Sequence, residues 1–200
     1  MSLVNHLVVF AKAPRLGRVK SRLAEDIGPL GALAFYRRVL IHVTRPLIQD
    51  RRWQCWLAVT PDASIHADGL WPRDCSRISQ GPGDLGQRMG GVAEVLPPGP
   101  VVIIGADIPA VRPHHINKAF RELGRHDAVF GPADDGGYWL VGLKRRPVYK
   151  QIFQNVRWST EHALADTVAN LAPGQTHAVL DTLDDIDDGE AYRRLRQMKG

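Results

Sequence analysis

Lys12, Arg15, Arg18, Lys20 and Arg22 place five cations in the segment 12–22, around Pro14 and Gly17, which bend the chain. A cationic loop that opens onto the amino end of a helix presents positive side chains and backbone N–H groups to one anion. A diphosphate or triphosphate suits it. The segment is not a Walker loop, because Gly17 is separated from Lys20-Ser21 by two residues where that motif needs Gly-Lys-Ser/Thr in succession. A solvated basic face or a nucleic-acid patch would carry the same charge. The position just after an apolar run, and the lack of interleaved aromatics, favour a phosphate site.

Acids recur in the same kind of place. Asp107 follows the apolar run Val101–Gly105 and precedes Pro109. A carboxylate leaving a buried strand needs a cation or hydrogen-bond donors. A hard divalent ion shared with phosphate oxygens would serve, since Mg²⁺ uses one or two carboxylates; a helix N-cap or turn aspartate accounts for Asp107 equally well. Asp134-Asp135-Gly136-Gly137 could ligate metal or take a proton from an acceptor hydroxyl, yet Asp-Gly between apolar runs is also a strong turn signal. The cluster Asp184-Asp185-Ile186-Asp187-Asp188 could hold a metal or start a helix, with Asp188 as N-cap. It lacks EF-hand spacing.

Gly81-Pro-Gly83-Asp-Leu-Gly86 fits the Gly-x-Gly-x-x-Gly dinucleotide fingerprint. The preceding Ser76–Gln80 is short and polar, and the motif lies mid-chain rather than after the first buried strand. We read it as a Gly-rich loop opening a helix, placed to touch nucleotide or substrate. His114-His115 has no third ligand nearby. Trp53, Trp56 and Trp71 are expected to pack rather than stack on bases. No Gly-x-Ser-x-Gly elbow is present.

These residues need elements to position them. Leu7–Ala11, Cys55–Thr60, Val101–Gly105 and Asp127–Phe130 read as strands. Pro29–Ile48 reads as a helix, from apolar residues at three- and four-residue steps, with Pro46 marking a kink or early end. Leu85–Leu96, Pro113–Leu123 and Thr160–Leu171 are further helices, and a basic helical tail ends the chain. Alternation of buried strands and helices implies an α/β fold with a mostly parallel sheet. In such sheets ligands gather beyond the carboxyl ends of the strands, and here the candidate chemistry follows the strands.

With 200 residues, 44% hydrophobic and 24% charged, the chain has ordinary globular usage, and we expect one domain over residues 1–200 that folds without staples. Cys55 and Cys75 form no Cys-x-x-Cys, which argues against a disulfide scaffold or structural zinc. The apolar runs are far short of the about 20 residues of a membrane helix, and no secretory leader is recognisable. A cytoplasmic location, with neither membrane nor nucleic acid as partner, is the expectation. The net charge of +5 suits phosphorylated small molecules.

Six blocks occur in one order: Lys12-Ala-Pro-x-x-Gly17-x-Val-Lys20-Ser-Arg22-Leu, Gln80-Gly-x-Gly-Asp84-Leu-Gly86-x-Arg88-Met, Gly105-Ala-Asp107-x-Pro109, Asp135-Gly-Gly-Tyr138-Trp-Leu-x-Gly142-Leu, Trp158-Ser-Thr160 and Asp185-Ile-Asp187. Together they resemble the DUF2064 proteins, also called radical-SAM/selenodomain-associated transferase 1, over residues ~7–190. The resemblance implies a GT-A-like, Rossmann-like α/β/α sandwich of the nucleotide-diphospho-sugar transferase type. It implies a transferase that takes a nucleotide-diphospho-sugar, a divalent ion (Mg²⁺ or Mn²⁺) and an acceptor. The alternative is a nucleotidyltransferase that releases pyrophosphate from a nucleoside triphosphate.

By the same resemblance, Lys12, Gly17, Lys20 and Arg22 form the phosphate loop, and Gly83, Asp84 and Arg88 line the nucleotide or sugar side. Asp107 is the principal metal ligand. Asp187 is favoured as the second ligand, and Asp135 as the acceptor contact. The chain departs from the family pattern in Ser21 for Thr, in Ala106 for Ser beside Asp107, and in the late segment Asp187-Asp188-Gly189-Glu190. It has no Asp-x-Asp at Asp107, since position 105 is Gly; a single carboxylate there is closer to the nucleotidyltransferase pattern.

Overall fold

A computed structural model describes residues 3–67, 69–146 and 151–197, with side chains described only as far as residue 194 in the last helix. The strands are β1 (His6–Lys12), β2 (Gln54–Thr60), β3 (Ser76–Ser79), β4 (Val101–Gly105), β5 (Ala128–Pro132), β6 (Tyr138–Leu143) and β7 (His177–Val179). The helices are α1 (Ser21–Gln49), α2 (Leu85–Val95), α3 (Pro113–Leu123), α4 (Ala163–Ala169) and α5 (Gly189–Gln197). The strands form one sheet in the order β3-β2-β1-β4-β6-β5-β7, in which only β6 runs antiparallel to its neighbours.

Both faces of the sheet are buried, which is why its central strands read as continuous apolar runs. Leu7, Val9 and Ala11 of β1 face one core, shared with Val39, Leu40 and Val43 of α1 and with Ile116, Ala119 and Leu123 of α3. Val8 faces the other, against Met89, Val92 and Ala93 of α2. From β1 the chain goes to β2 and β3 on one side, whereas β4 lies on the other side of β1. The order reverses between β1 and β4, and a reversal of this kind opens a crevice at the carboxyl ends. The loops after these two strands carry Lys20 and Asp107.

Several sequence expectations need correction. Ser76–Ser79 is a strand, parallel to β2; as the sheet edge it has no need of apolar residues on both faces. The Gly81–Gly86 loop therefore does join a strand to a helix, but at the sheet edge instead of after β1. Helix α1 begins at Ser21, well before Pro29, because Gly28 (φ 77°, ψ 157°) breaks it into two segments that run on as one element. That backbone conformation falls outside what a side chain with a Cβ tolerates, and Pro29 opens the second segment as the expected first-turn proline. Pro46 does not end the helix, which continues to Gln49. Helix α4 is shorter than Thr160–Leu171. Asp188 caps α5 as expected: the Ala191 N–H donates to Asp188 Oδ1 at 2.9 Å. Cys55 on β2 and Cys75, just before β3, are free thiols, with Cys75 Sγ 3.7 Å from the Cys55 carbonyl.

Candidate functional site

Lys20 is the centre of the site. It stands immediately before α1 in left-handed backbone geometry, φ 49° and ψ 55°, a conformation that costs a residue with a Cβ about 1 kcal/mol. Its side chain is only 5% exposed. The ammonium donates to Asp107 Oδ2 at 2.9 Å, Asp187 Oδ1 at 3.0 Å and Asp185 Oδ2 at 3.4 Å. Burial opposes the charge on Lys20, but Asp107, Asp185 and Asp187 outweigh it and hold the ammonium pKa above its ordinary value. Burial pushes the Asp185 carboxyl up to about 6, with Asp107 and Asp187 adding to the rise against the pull of Lys20.

The local sequence explains the convergence. Asp107 leaves β4 one residue after Ala106, whose N–H donates to the Phe10 carbonyl of β1 at 3.1 Å. Asp185 and Asp187 flank Ile186, which is buried in the core. An extended segment alternates its side chains, so anchoring Ile186 turns both acids toward Lys20. Tyr36 of α1 ties down the start of the cationic loop: its hydroxyl accepts from the Lys12 N–H and donates to the Lys12 carbonyl, both at 2.9 Å. Buried Gln80 donates to the carbonyls of Ala58 (2.9 Å) and Ala11 (3.3 Å), fixing the Gly-rich loop against the ends of β1 and β2.

Two clefts meet at this cluster, and Asp107 and Asp187 line both. One, of about 290 Å³, is lined by Lys12, Arg18, Lys20, Ser21 and Gln80. The other, of about 430 Å³, is lined by Asp134, Asp135, Tyr138, Trp158, Asp184 and Asp185 among others. Leu85, 45% exposed, borders both.

Of the residues singled out in the sequence, Lys20, Asp107 and Asp187 come together, and Arg22 reaches Asp187 Oδ2 at 3.5 Å from an exposed position. Lys12 lies on the wall of the cationic cleft, and Gly17 lies in the exposed loop at positive φ. Asp135 lines the second cleft, where its Oδ1 accepts from the Gly137 N–H at 2.9 Å. Gly83, Asp84 and Arg88 line neither cleft. Asp84 caps α2 reciprocally with Gln87, and the Arg88 Nε donates to the Gly83 carbonyl at 2.8 Å.

Sequence reasoning missed Asp185 as a partner of Lys20, although the apolar residue between two acids was the available signal. It also missed Tyr138 and Trp158 as cleft walls. Gly86 lies so close to the segment bearing Trp158 that a Cβ there would stand 2.6 Å from both Trp158 Cζ2 and the Phe153 carbonyl oxygen.

The sequence profile of DUF2064, described as an uncharacterized protein conserved in bacteria, matches residues 43–160. This chain belongs to the DUF2064 family. The matched span includes the Gly-rich loop, Asp107 and the Asp-Gly-Gly turn of the DUF2064 chain, while its cationic loop and the Asp185–Asp187 segment lie outside. No curated protein sequence matches the chain significantly.

Among solved structures, the DUF2064 chain is similar to a candidate nucleotide-diphospho-sugar transferase from Desulfovibrio desulfuricans G20, with TM-score 0.89 and 26% identity over 99% of this chain and 88% of that one. It shares its fold with 4-diphosphocytidyl-2C-methyl-D-erythritol synthase from Anaerococcus prevotii, with TM-score 0.65 and 10% identity over 98% of each chain. It also shares its fold with Rv0371C of Mycobacterium tuberculosis H37Rv, solved in complex with manganese, with TM-score 0.59 and 17% identity over 98% of this chain and 100% of that one. Among the described residues no helix is long and apolar enough to cross a membrane.

Proposed function

We propose that this chain is a transferase that uses a nucleotide-diphospho-sugar and passes the sugar to an acceptor hydroxyl or amine. The observation that carries this reading is Lys20 Nζ, buried at the junction of a cationic and an acidic cleft and bonded to Asp107, Asp185 and Asp187. Lys12, Lys20 and Arg22, with the backbone around Gly17, bind the diphosphate and neutralise it as the bond to the sugar breaks. Gly83, Asp84 and Arg88 lie outside both clefts, so a nucleotide contact from them rests on the family resemblance alone. Asp135 orients the acceptor and takes its proton.

Asp107, Asp185 and Asp187 offer hard oxygen donors converging on one cation, which fits Mg²⁺ or Mn²⁺. Among the described residues no three carboxylate, imidazole or thiolate groups stand as a ready metal cage. Asp107 and Asp187 would hold the ion, with Asp185 beside them. When bound, the ion supplies further positive charge for the leaving diphosphate.

Incubation with sugar nucleotides and Mn²⁺ tests the reading, and release of nucleoside diphosphate is expected. A second reading, nucleotidyl transfer, is favoured by the density of cations around the phosphate loop, which suits a triphosphate. Release of pyrophosphate from a nucleoside triphosphate would establish it and overturn the first.

A further inference from the structure

The two clefts that meet at Lys20 differ in charge, and we infer that the acceptor is an unphosphorylated polyol or amino-polyol ring, bound in the 430 Å³ cleft against Tyr138 and Trp158. The inference rests on the proposed function, in which the anionic part of the donor lies on the other side of Lys20. It adds what that function leaves open, the chemical class of the second substrate.

Volume and walls come first. The cleft falls within the range that encloses small ligands. Tyr138 and Trp158 pack edge to face, with centroids 6.3 Å apart and planes at 70°, and both line the cavity. A sugar-like ring has apolar C–H faces that rest on such rings while its hydroxyls meet polar groups at the rim.

The polar groups at that rim are carboxylates. Beyond the three around Lys20, the cleft is lined by Asp134, Asp135, Asp184 and Asp188. Three of these are held in place by backbone N–H groups: Asp184 Oδ1 accepts from Asp134 N at 3.1 Å, Asp135 Oδ1 from Gly137 N at 2.9 Å, and Asp188 Oδ1 from Ala191 N at 2.9 Å. The negative wall is therefore preorganised. Among the described lining residues Arg194 is the one cation, and it donates to Glu190 at 2.9 Å. A phosphate ester entering here would meet several fixed like charges, and like-charge juxtaposition is how binding sites reject wrong partners. Hydroxyls and ammonium groups instead donate to carboxylates. A divalent ion held by Asp107 and Asp187 would leave Asp134, Asp135, Asp184 and Asp188 facing the acceptor.

The full chain, with Mg²⁺ and inorganic pyrophosphate present to fill the phosphate side, is titrated with glucosamine, glucose, glucosamine 6-phosphate and glucose 6-phosphate. The indole N–H resonance of Trp158, assigned with Trp158→Phe, reports binding. The free sugars should move it saturably, and their phosphate esters should bind at least tenfold more weakly. The double substitution Asp134→Asn/Asp184→Asn keeps a side-chain oxygen at 184 to accept from the backbone N–H of 134 and should narrow that gap to under threefold. Equal or tighter binding of the esters, an unchanged gap in the double variant, or no response of Trp158 to any sugar would overturn the inference. Pyrophosphate binding alone is read by thermal shift and by its loss in Lys20→Met. Failure there would count against the proposed function while leaving the sugar titration to be judged separately.

Discussion

Lys20 bears more of the site than any other side chain. Removing a partner from a buried ion pair leaves uncompensated charge, typically at a cost of about 3–5 kcal/mol. Here Asp107 and Asp187 keep 35% and 44% of their side-chain exposure, so water screens part of the loss. We expect Lys20→Met to lower stability by about 2 kcal/mol, read by denaturant unfolding, and to weaken nucleoside diphosphate binding at least tenfold. Added Mn²⁺ should recover most of the stability of this variant, because it supplies the charge the ammonium provided. A variant that unfolds at the wild-type midpoint would mean that the three acids do not depend on Lys20. The cationic loop and Asp107 stood out in the sequence because their residue types are unusual beside apolar strands. Asp185 did not, because its role depends on Ile186 being drawn into the core.

At the scale of elements, α2 serves both stability and the site. Asp84 caps it, so Asp84→Ala should cost about 1 kcal/mol, whereas Asp84→Asn keeps an acceptor for the Gln87 N–H and should melt as the wild type does. Nucleotide affinity measured on the Asn variant then separates the two roles of Asp84: affinity lost at an unchanged melting temperature marks a ligand contact, and affinity retained marks a cap alone. Gly86 lets the first turn of α2 approach Phe153 and Trp158. Gly86→Ala forces that contact apart and is expected to destabilise by about 1–3 kcal/mol, with a displaced Trp158 indole signal as its spectroscopic mark. Strands β1, β2, β4 and β5 and helix α3 could be read from pattern because both sheet faces are covered and α3 has a regular apolar stripe; β6, although buried between β4 and β5, is absent from the strands expected from sequence, where Asp-Gly-Gly marks only a turn. The edge strands β3 and β7 could not be read either. Ser76, Arg77 and Ser79, and exposed His177 and Val179, carry no burial pattern, and only pairing with β2 and β5 makes them strands.

At the scale of the molecule, stability should depend on pH through His6, at the start of the central strand β1. The residue is 1% exposed, and among the described residues its Nε2 has no hydrogen-bond partner. Burial, and then the charge of Arg145, hold its imidazole below the ordinary pKa of 6.5. Above that value both folded and unfolded chains carry a neutral ring and no penalty arises. As pH falls below about 6.5 the unfolded chain takes up a proton that the folded one resists, so stability declines toward acid. His6→Asn should flatten the fall in melting temperature between pH 7 and pH 5. An unchanged slope would show that other groups set it.

The single antiparallel strand has a mechanical consequence. Because β6 runs against β5, the turn Ala133–Gly137 is a hairpin tip hydrogen-bonded at both ends, with Ala133 N donating to the Gly137 carbonyl at 3.1 Å and Gly136 N to the Ala133 carbonyl at 3.2 Å. A crossover loop in a wholly parallel sheet would be anchored to two different strand ends far apart along the chain. This tip closes within one ribbon and is tied further to α4, where the Leu164 N–H donates to the Gly136 carbonyl at 3.1 Å, and to Asp184, whose Oδ1 accepts from the Asp134 N–H at 3.1 Å. The opposite bank, the stretch from Asp184 to Asp188, belongs to no strand, yet Asp184 holds it to the tip and Asp185 and Asp187 hold it to Lys20, so a charge change at Lys20 is felt on both banks of the cleft.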